Sequence, residues 1–190
     1  MAEQPQIPEN VTPSQFFEEY LPMGFAAQAA ESGSAPADFA MVFTVEGDGG
    51  GQWLATIAGG KMTVTKGGGE ANLAIKMSID DFRDAVLGRN GANLSLILPP
   101  QRPGRPDNSA RAKQLKGVMG VELSRDGADP FKVEMAFNGA TAPKTVIKMK
   151  IADYIAMQDG SLNGQQAFMS GKLKVEGDMG FLMQIATLTA

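Results

Sequence analysis

Two residue types that carry much of protein chemistry are missing from this chain. Its 190 residues include no cysteine and no histidine. The first absence excludes disulfides, thiolate zinc sites and cysteine nucleophiles. The second removes the commonest general base, the commonest metal ligand and the usual partner of a catalytic serine. Positive charge is also scarce: 17 Lys and Arg stand against 21 Asp and Glu, for a net charge of −4. The basic field that draws nucleic acid is therefore missing, and charge gives no general attraction to an anionic membrane. No apolar run reaches the roughly 18 residues needed to cross a bilayer. The opening MAEQPQIPEN lacks a basic segment followed by an apolar one, so a cytoplasmic location is expected.

What is present reads as one globular domain, 12–190, behind a polar lead at 1–11. Thr12-Pro13-Ser14-Gln15 has the form of a helix start, with Thr12 and Gln15 making a capping box around Pro13. Phe16, Phe17, Tyr20 and Leu21 follow at helical spacing, and Pro22 and Gly24 are expected to kink or end that helix. Residues 39–77 alternate in period two. Phe39, Met41, Phe43 and Val45 form one strand, Trp53 to Ile57 a second, Met62 to Thr65 a third and Leu73 to Met77 a fourth. Glycines at 47–51, 59–60 and 67–69 punctuate them. The pattern predicts an antiparallel meander with hairpin turns. Ser78 then caps a helix whose buried face carries Ile79, Phe82 and Val86.

Residues 99–113 hold four prolines with Arg102, Arg105, Arg111 and Lys113. They read as an exposed loop, either merely solvated or a local contact for an anionic group. Beyond it the pattern returns, with strands at Val121–Leu123, Val133–Phe137 and Thr145–Met149, then a helix marked by Ile151, Tyr154 and Ile155. The corner Ile75-Lys76-Met77-Ser78-Ile79-Asp80-Asp81-Phe82 resembles Ile147-Lys148-Met149-Lys150-Ile151-Ala152-Asp153-Tyr154, and Gly88 matches Gly160 at the same offset. An internal duplication and chance similarity of two strand–helix corners both remain open.

Reactive constellations are wanting. The glycine clusters lack the spacing of a phosphate loop. Asp80-Asp81 sits where acids stabilise a helix start. Met169-Ser170-Gly171 has neither the first glycine of a nucleophile elbow nor a histidine. No catalytic residue, metal or cofactor is expected. The last helix carries the sharper signal. After Asp178, Met179, Leu182, Met183 and Ala186 make one apolar stripe, and Phe181, Ile185 and Leu188 a second on another side. A helix apolar nearly all round is buried on both sides or covers something apolar.

Gly164-Gln165-Gln166-Ala167-Phe168-Met169-Ser170-Gly171-Lys172-Leu173-Lys174-Val175-Glu176-Gly177-Asp178 resembles the C-terminal motif of the sterol-carrier-protein-2 family. Residues 39–91 resemble that family's N-terminal meander, and 92–146 insert a basic loop and further strands. The resemblance implies an α+β fold, a mainly antiparallel sheet with helices packed on one face enclosing an apolar cavity. It implies non-catalytic binding or transfer of a lipid partner: fatty acid, fatty acyl-CoA, phospholipid or sterol. The lining expected on that basis is Phe82, Met149, Tyr154, Phe168, Met169, Leu173, Val175, Met179, Leu182, Met183 and Ile185. Lys172 and Lys174 are candidates for a carboxylate head, although a K-L-K-V-E strand turns both toward solvent. The competing reading is an interaction or dimerisation module using the same helix without lipid. Monomer and homodimer, and transient membrane contact, are all compatible with the sequence. The family's Ser-Lys-Leu-type ending is replaced by Thr187-Leu188-Thr189-Ala190.

Overall fold

A computed structural model describes residues 7–32, 37–98 and 109–189, with side chains described over 7–30, 37–98 and 109–186. The chain is α+β. Eight strands, β1 (Phe39–Glu46), β2 (Gly51–Ala58), β3 (Lys61–Lys66), β4 (Leu73–Ser78), β5 (Gly117–Arg125), β6 (Ala128–Phe137), β7 (Lys144–Lys150) and β8 (Lys174–Gly177), join one sheet. Their order is β3-β2-β1-β4-β6-β5-β7-β8. Pairing is antiparallel except for β1–β4 and β5–β7, which are parallel.

The register sorts the side chains. Trp53, Phe43, Ile75, Met135 and Met119 line up across one face, as do Val45, Met77, Val133, Val121 and Ile147. The opposite face carries Lys76–Glu46, Lys144–Glu134 and Lys148 between Glu122 and Glu176. Such exposed pairs contribute little each. They mark the solvent side, so the helices collect on the other.

The N-terminal helix begins as expected. Thr12 Oγ1 accepts from the Gln15 N–H while Gln15 Oε1 accepts from the Thr12 N–H. It does not end at Pro22. An α-turn, α1 (Pro13–Gln15), passes into a π-helical stretch, Phe16–Tyr20, and then α2 (Leu21–Ser32). The widened turn, with the Leu21 N–H bonded to the Phe16 carbonyl, gives the proline ring room and absorbs its missing donor. Phe17 lies 4.9 Å from Trp53, 4.8 Å from Phe43 and 5.5 Å from Phe82, centroid to centroid. Trp53 Nε1 donates to Glu18. This cluster fastens the helix onto the apolar face.

The meander reading needs correction at β4, which returns beside β1 rather than following β3 at the edge. Leu73, Ile75 and Met77 are all buried, which suits a central strand. Lys61 and Lys66 at the ends of β3 suit an edge. Gly67–Gly69 therefore make a crossover and not a hairpin. The Gly67 N–H bonds Gln52, and a Cβ on Gly69 would lie 2.9 Å from Leu54. A side chain at Gly69 would have to push the end of Leu54 aside.

The two halves follow one course. A hairpin (β1–β2, β5–β6) is followed by a strand parallel to its first member (β4, β7). A helix comes next, α3 (Ile79–Leu87) or α5 (Ile151–Asp159). Each helix ends at a left-handed glycine, Gly88 at φ +66° and Gly160 at φ +85°. The geometry favours duplication over chance. Of the loop expected at 99–113, residues 99–108, with Arg102 and Arg105, lie outside the described residues. Its end is helical, α4 (Ser109–Ala112), past the last proline at 106.

One ion cluster joins the halves. Arg125, at the end of β5, bonds Asp84 at 2.6 Å and Asp81 at 3.3 Å, both on α3. Its Nε donates to the Asp129 carbonyl, and its guanidinium lies 5.7 Å from the Phe131 ring. Burial pushes the Asp81 carboxyl above its usual range, against the lowering pull of Ser78, Lys132 and Arg125. Removing one member of a buried cluster strands the others. Arg125→Ala should lower the unfolding free energy in urea by about 3–5 kcal/mol. A loss under about 1 kcal/mol, the range of an exposed pair, would contradict the clasp.

Candidate functional site

The apolar face of the second half is built by β5, β6 and β7, and β8 extends it. Val121, Leu123 and Phe131 are inaccessible or nearly so, and Ile147 and Met149 are buried beside them. Two helices follow from the recognised C-terminal segment, α6 (Gly164–Met169) and α7 (Met179–Thr189). Asn163 caps α6 through its side-chain oxygen.

The Gly177-Asp178 step starts α7 for a physical reason. Gly177 has φ +96°, and a Cβ there would overlap the Lys144 carbonyl. The Asp178 N–H bonds that same carbonyl, and the Asp178 carboxylate accepts from the Phe181 N–H at 2.6 Å. The start of α7 is thereby tied to β7. Phe181 then drops onto Gly117 and Phe137, with the two rings 6.2 Å apart. A Cβ on Gly117 would stand 2.5 Å from the Phe181 ring. Ile185, one turn on, is also buried.

Among the expected lining residues, Met149, Leu173 and Ile185 are buried, and Tyr154, Val175 and Leu182 are half-buried against the same core. Phe168, Met169, Met179 and Met183 instead face solvent, Met169 at 79% and Met183 at 65% exposure. Phe82 stands apart from this group, 5.4 Å from Phe16 in the aromatic cluster of the first half. The second stripe of α7 is the packed one, through Phe181 and Ile185; the side chain of Leu188 lies outside those described. Lys172 bonds Asp153 at 2.8 Å, and Lys174 faces solvent as the strand pattern requires.

The best-formed hollows among the described residues lie at the surface and not under α7, whose Phe181 and Ile185 are packed into the core. Two hollows at the surface stand out. One, of about 550 Å³, is lined by Asn163, Gln165, Gln166, Met169 and Ser170. The other, of about 380 Å³, lies in the first half between residues 9–13, Gly49 and α3.

The polar atoms near the site come from α5. Burial holds the Tyr154 phenol above its ordinary value, against a hydrogen bond with Gln158. Gln158 accepts from Ser95 Oγ and donates to the Ser95 carbonyl. No cluster of His, Cys, Asp and Glu suited to a metal ion occurs among the described residues. No helix of the described residues is long and apolar enough to cross a membrane.

The site reading from sequence missed Gly117 and Phe181 as a pair. The only signals were a glycine opening an alternating strand and an aromatic on the second stripe of α7. Gly117→Ala should force the Phe181 ring off its seat and also strain the backbone at φ +153°. Amides of α7 should then exchange with deuterium at least tenfold faster than in the parent chain, while those of β1 are unchanged. Unchanged α7 protection would show that the pair does not hold the helix down.

Known proteins match parts of this chain. Residues 100–190 match the SCP-2 sterol transfer family. Peroxisomal multifunctional enzyme A of Dictyostelium discoideum is 38% identical over 50 residues, covering 26% of this chain and 11% of that protein. The chain thus spans about a tenth of that relative's length. Among solved structures, the sterol carrier protein domain 2 of Helicoverpa armigera overlays with a TM-score of 0.35 at 23% identity. It covers 43% of this chain and 72% of that one. Sterol Carrier Protein 2 from Yarrowia lipolytica, in an apo form, gives 0.28 at 16% identity, covering 97% and 98%. Residues 100–190, in which the Phe168-to-Asp178 segment folds as helix, turn, strand and capped helix start, are thus the part of this chain that is similar to the SCP-2 sterol transfer family.

Proposed function

We propose that this chain binds and transfers a lipid, and that the ligand enters between α7 and the apolar face of β5–β7. The observation that carries this reading is the two-sided character of α7. One side is packed through Phe181 and Ile185, while Met179 and Met183 on the other face water. A helix held by a few apolar contacts and one capped end can be displaced as a unit. Its displacement uncovers Gly117 and Phe137, which lie under the Phe181 ring.

The energetics suit an aliphatic guest. Each buried methylene is worth about 0.8 kcal/mol, so a chain of a dozen carbons gains on the order of 10 kcal/mol before ordering costs. That exceeds the roughly 2–3 kcal/mol expected for each of the two side chains it displaces. Methionines suit the task because their unbranched, polarisable side chains repack around varied shapes. The outward Phe168, Met169, Met179 and Met183 would serve the transient membrane contact at which lipid is exchanged. We assign no catalytic step to the chain. The relative named as an enzyme is matched over too short a stretch to lend its activity, and no nucleophile among the described residues has an evident base.

Native mass spectrometry of protein purified without detergent tests the reading directly. The expected result is a population heavier by the mass of one lipid, released by organic extraction. Absence of such a species, together with no uptake of a fluorescent fatty acid, would contradict it. Met183→Asp places a charge on the exposed side only. It should slow delivery of fatty acid to vesicles by about tenfold, with equilibrium uptake unchanged.

A second reading rests on the same exposed residues. Met179 and Met183 could face another copy of the chain, with no lipid involved. A mass that rises with concentration and falls with Met183→Asp, in lipid-free protein, would favour it.

A further inference from the structure

The hollow of about 380 Å³ in the first half plays no part in the lipid reading. Its walls are Glu9, Asn10, Val11, Thr12 and Pro13 on one side, Gly49 of the β1–β2 turn at one end, and Arg83 and Arg89 on the other. The two arginines come from α3 and the residue just past its C-terminal glycine. Six residues apart, they would not share a face of an uninterrupted helix. Gly88, left-handed at φ +66°, turns the chain and brings Arg89 to the same hollow as Arg83.

The charge balance of this hollow differs from that of the chain as a whole. The molecule is net negative, yet the lining holds two guanidinium groups against one carboxylate. That carboxylate, Glu9, is 91% exposed at its side chain and 3.8 Å from Arg89, a loose pair that costs little to break. Arg83 has no hydrogen-bond or ion-pair partner among the described residues. Arg125, which also meets α3, behaves differently: each of its three guanidinium nitrogens donates, to Asp129, Asp84 and Asp81.

We propose that this hollow is an anion site for a phosphate group, gripped by Arg83 and Arg89, on the half of the molecule away from α7. A planar guanidinium offers paired donors that match phosphate oxygens, and two of them on one group give charge-assisted bonds stronger than neutral ones. The cavity exceeds what a lone phosphate requires, so the ligand is a phosphate-bearing small molecule or a phospholipid head group. Both present the same chemistry to the arginines. Glu9 swings aside when the anion enters. This site shares no lining residue with the apolar site.

Titration with inorganic phosphate and with glycerol 3-phosphate, followed by amide and arginine side-chain NMR, tests the soluble source. The expected result is saturable shifts at Arg83, Arg89, Gly49 and residues 9–13, with none at α7. Vesicles containing phosphatidic acid, against vesicles of phosphatidylcholine alone, test the head-group source by co-sedimentation. Arg83→Gln and Arg89→Gln together, both exposed positions, should weaken whichever response is seen by at least tenfold. Fluorescent fatty acid uptake should be unchanged in the same variant, which separates this site from the apolar one. No shift and no selective co-sedimentation would overturn the proposal, as would responses that survive loss of both arginines.

Discussion

An eight-stranded sheet with one apolar face must have that face covered, and this constraint organises the molecule. The face runs unbroken from Trp53 through Phe43, Ile75 and Met135 to Met119. Its coverings come from both ends of the chain. The N-terminal helix brings Phe16 and Phe17 to the first half, and α7 brings Phe181 and Ile185 to the second. The two covers are not equal. The first is an interlocking aromatic cluster whose centre, Phe17, touches four other rings. The second rests on one ring over a glycine and on Ile185, with its far side exposed.

This inequality gives the halves different work. They share a hairpin, a parallel return strand, a helix and a left-handed glycine. The first half has gained β3, the crossover of Gly67–Gly69 and the aromatic cluster, and its apolar face is filled by its own side chains. The second has the lighter cover and carries the SCP-2 sterol transfer match. Arg125 ties α3 of the first to the β5–β6 turn of the second.

Much of the fold is legible in the sequence because it is local. The capping box at Thr12 and Gln15, the alternation of Phe39 to Val45, and the glycines that end α3 and α5 each follow from short-range chemistry. What could not be read depends on irregular backbone geometry or on distant partners. Pro22 sits inside a helix because a π-turn precedes it. Gly67–Gly69 cross a strand because Leu54 lies beneath them. The placing of β4 beside β1 is decided by which strands need burial, not by chain order. For the site, α7 was readable as apolar on two sides, but which side packs was not. Gly117 settles that from 64 positions upstream of Phe181, a separation no local pattern spans. Phe82 shows the same limit, since its helical spacing marks it as buried without saying in which half's core.

The central claim is that Phe181 occupies the seat an acyl chain takes. The contact between the Phe181 ring protons and the Gly117 α-protons, read as a nuclear Overhauser effect, reports that seat directly. It should be strong in delipidated protein and lost when one equivalent of a long-chain fatty acid is bound. A contact that persists at full strength in the lipid-loaded protein would contradict the account.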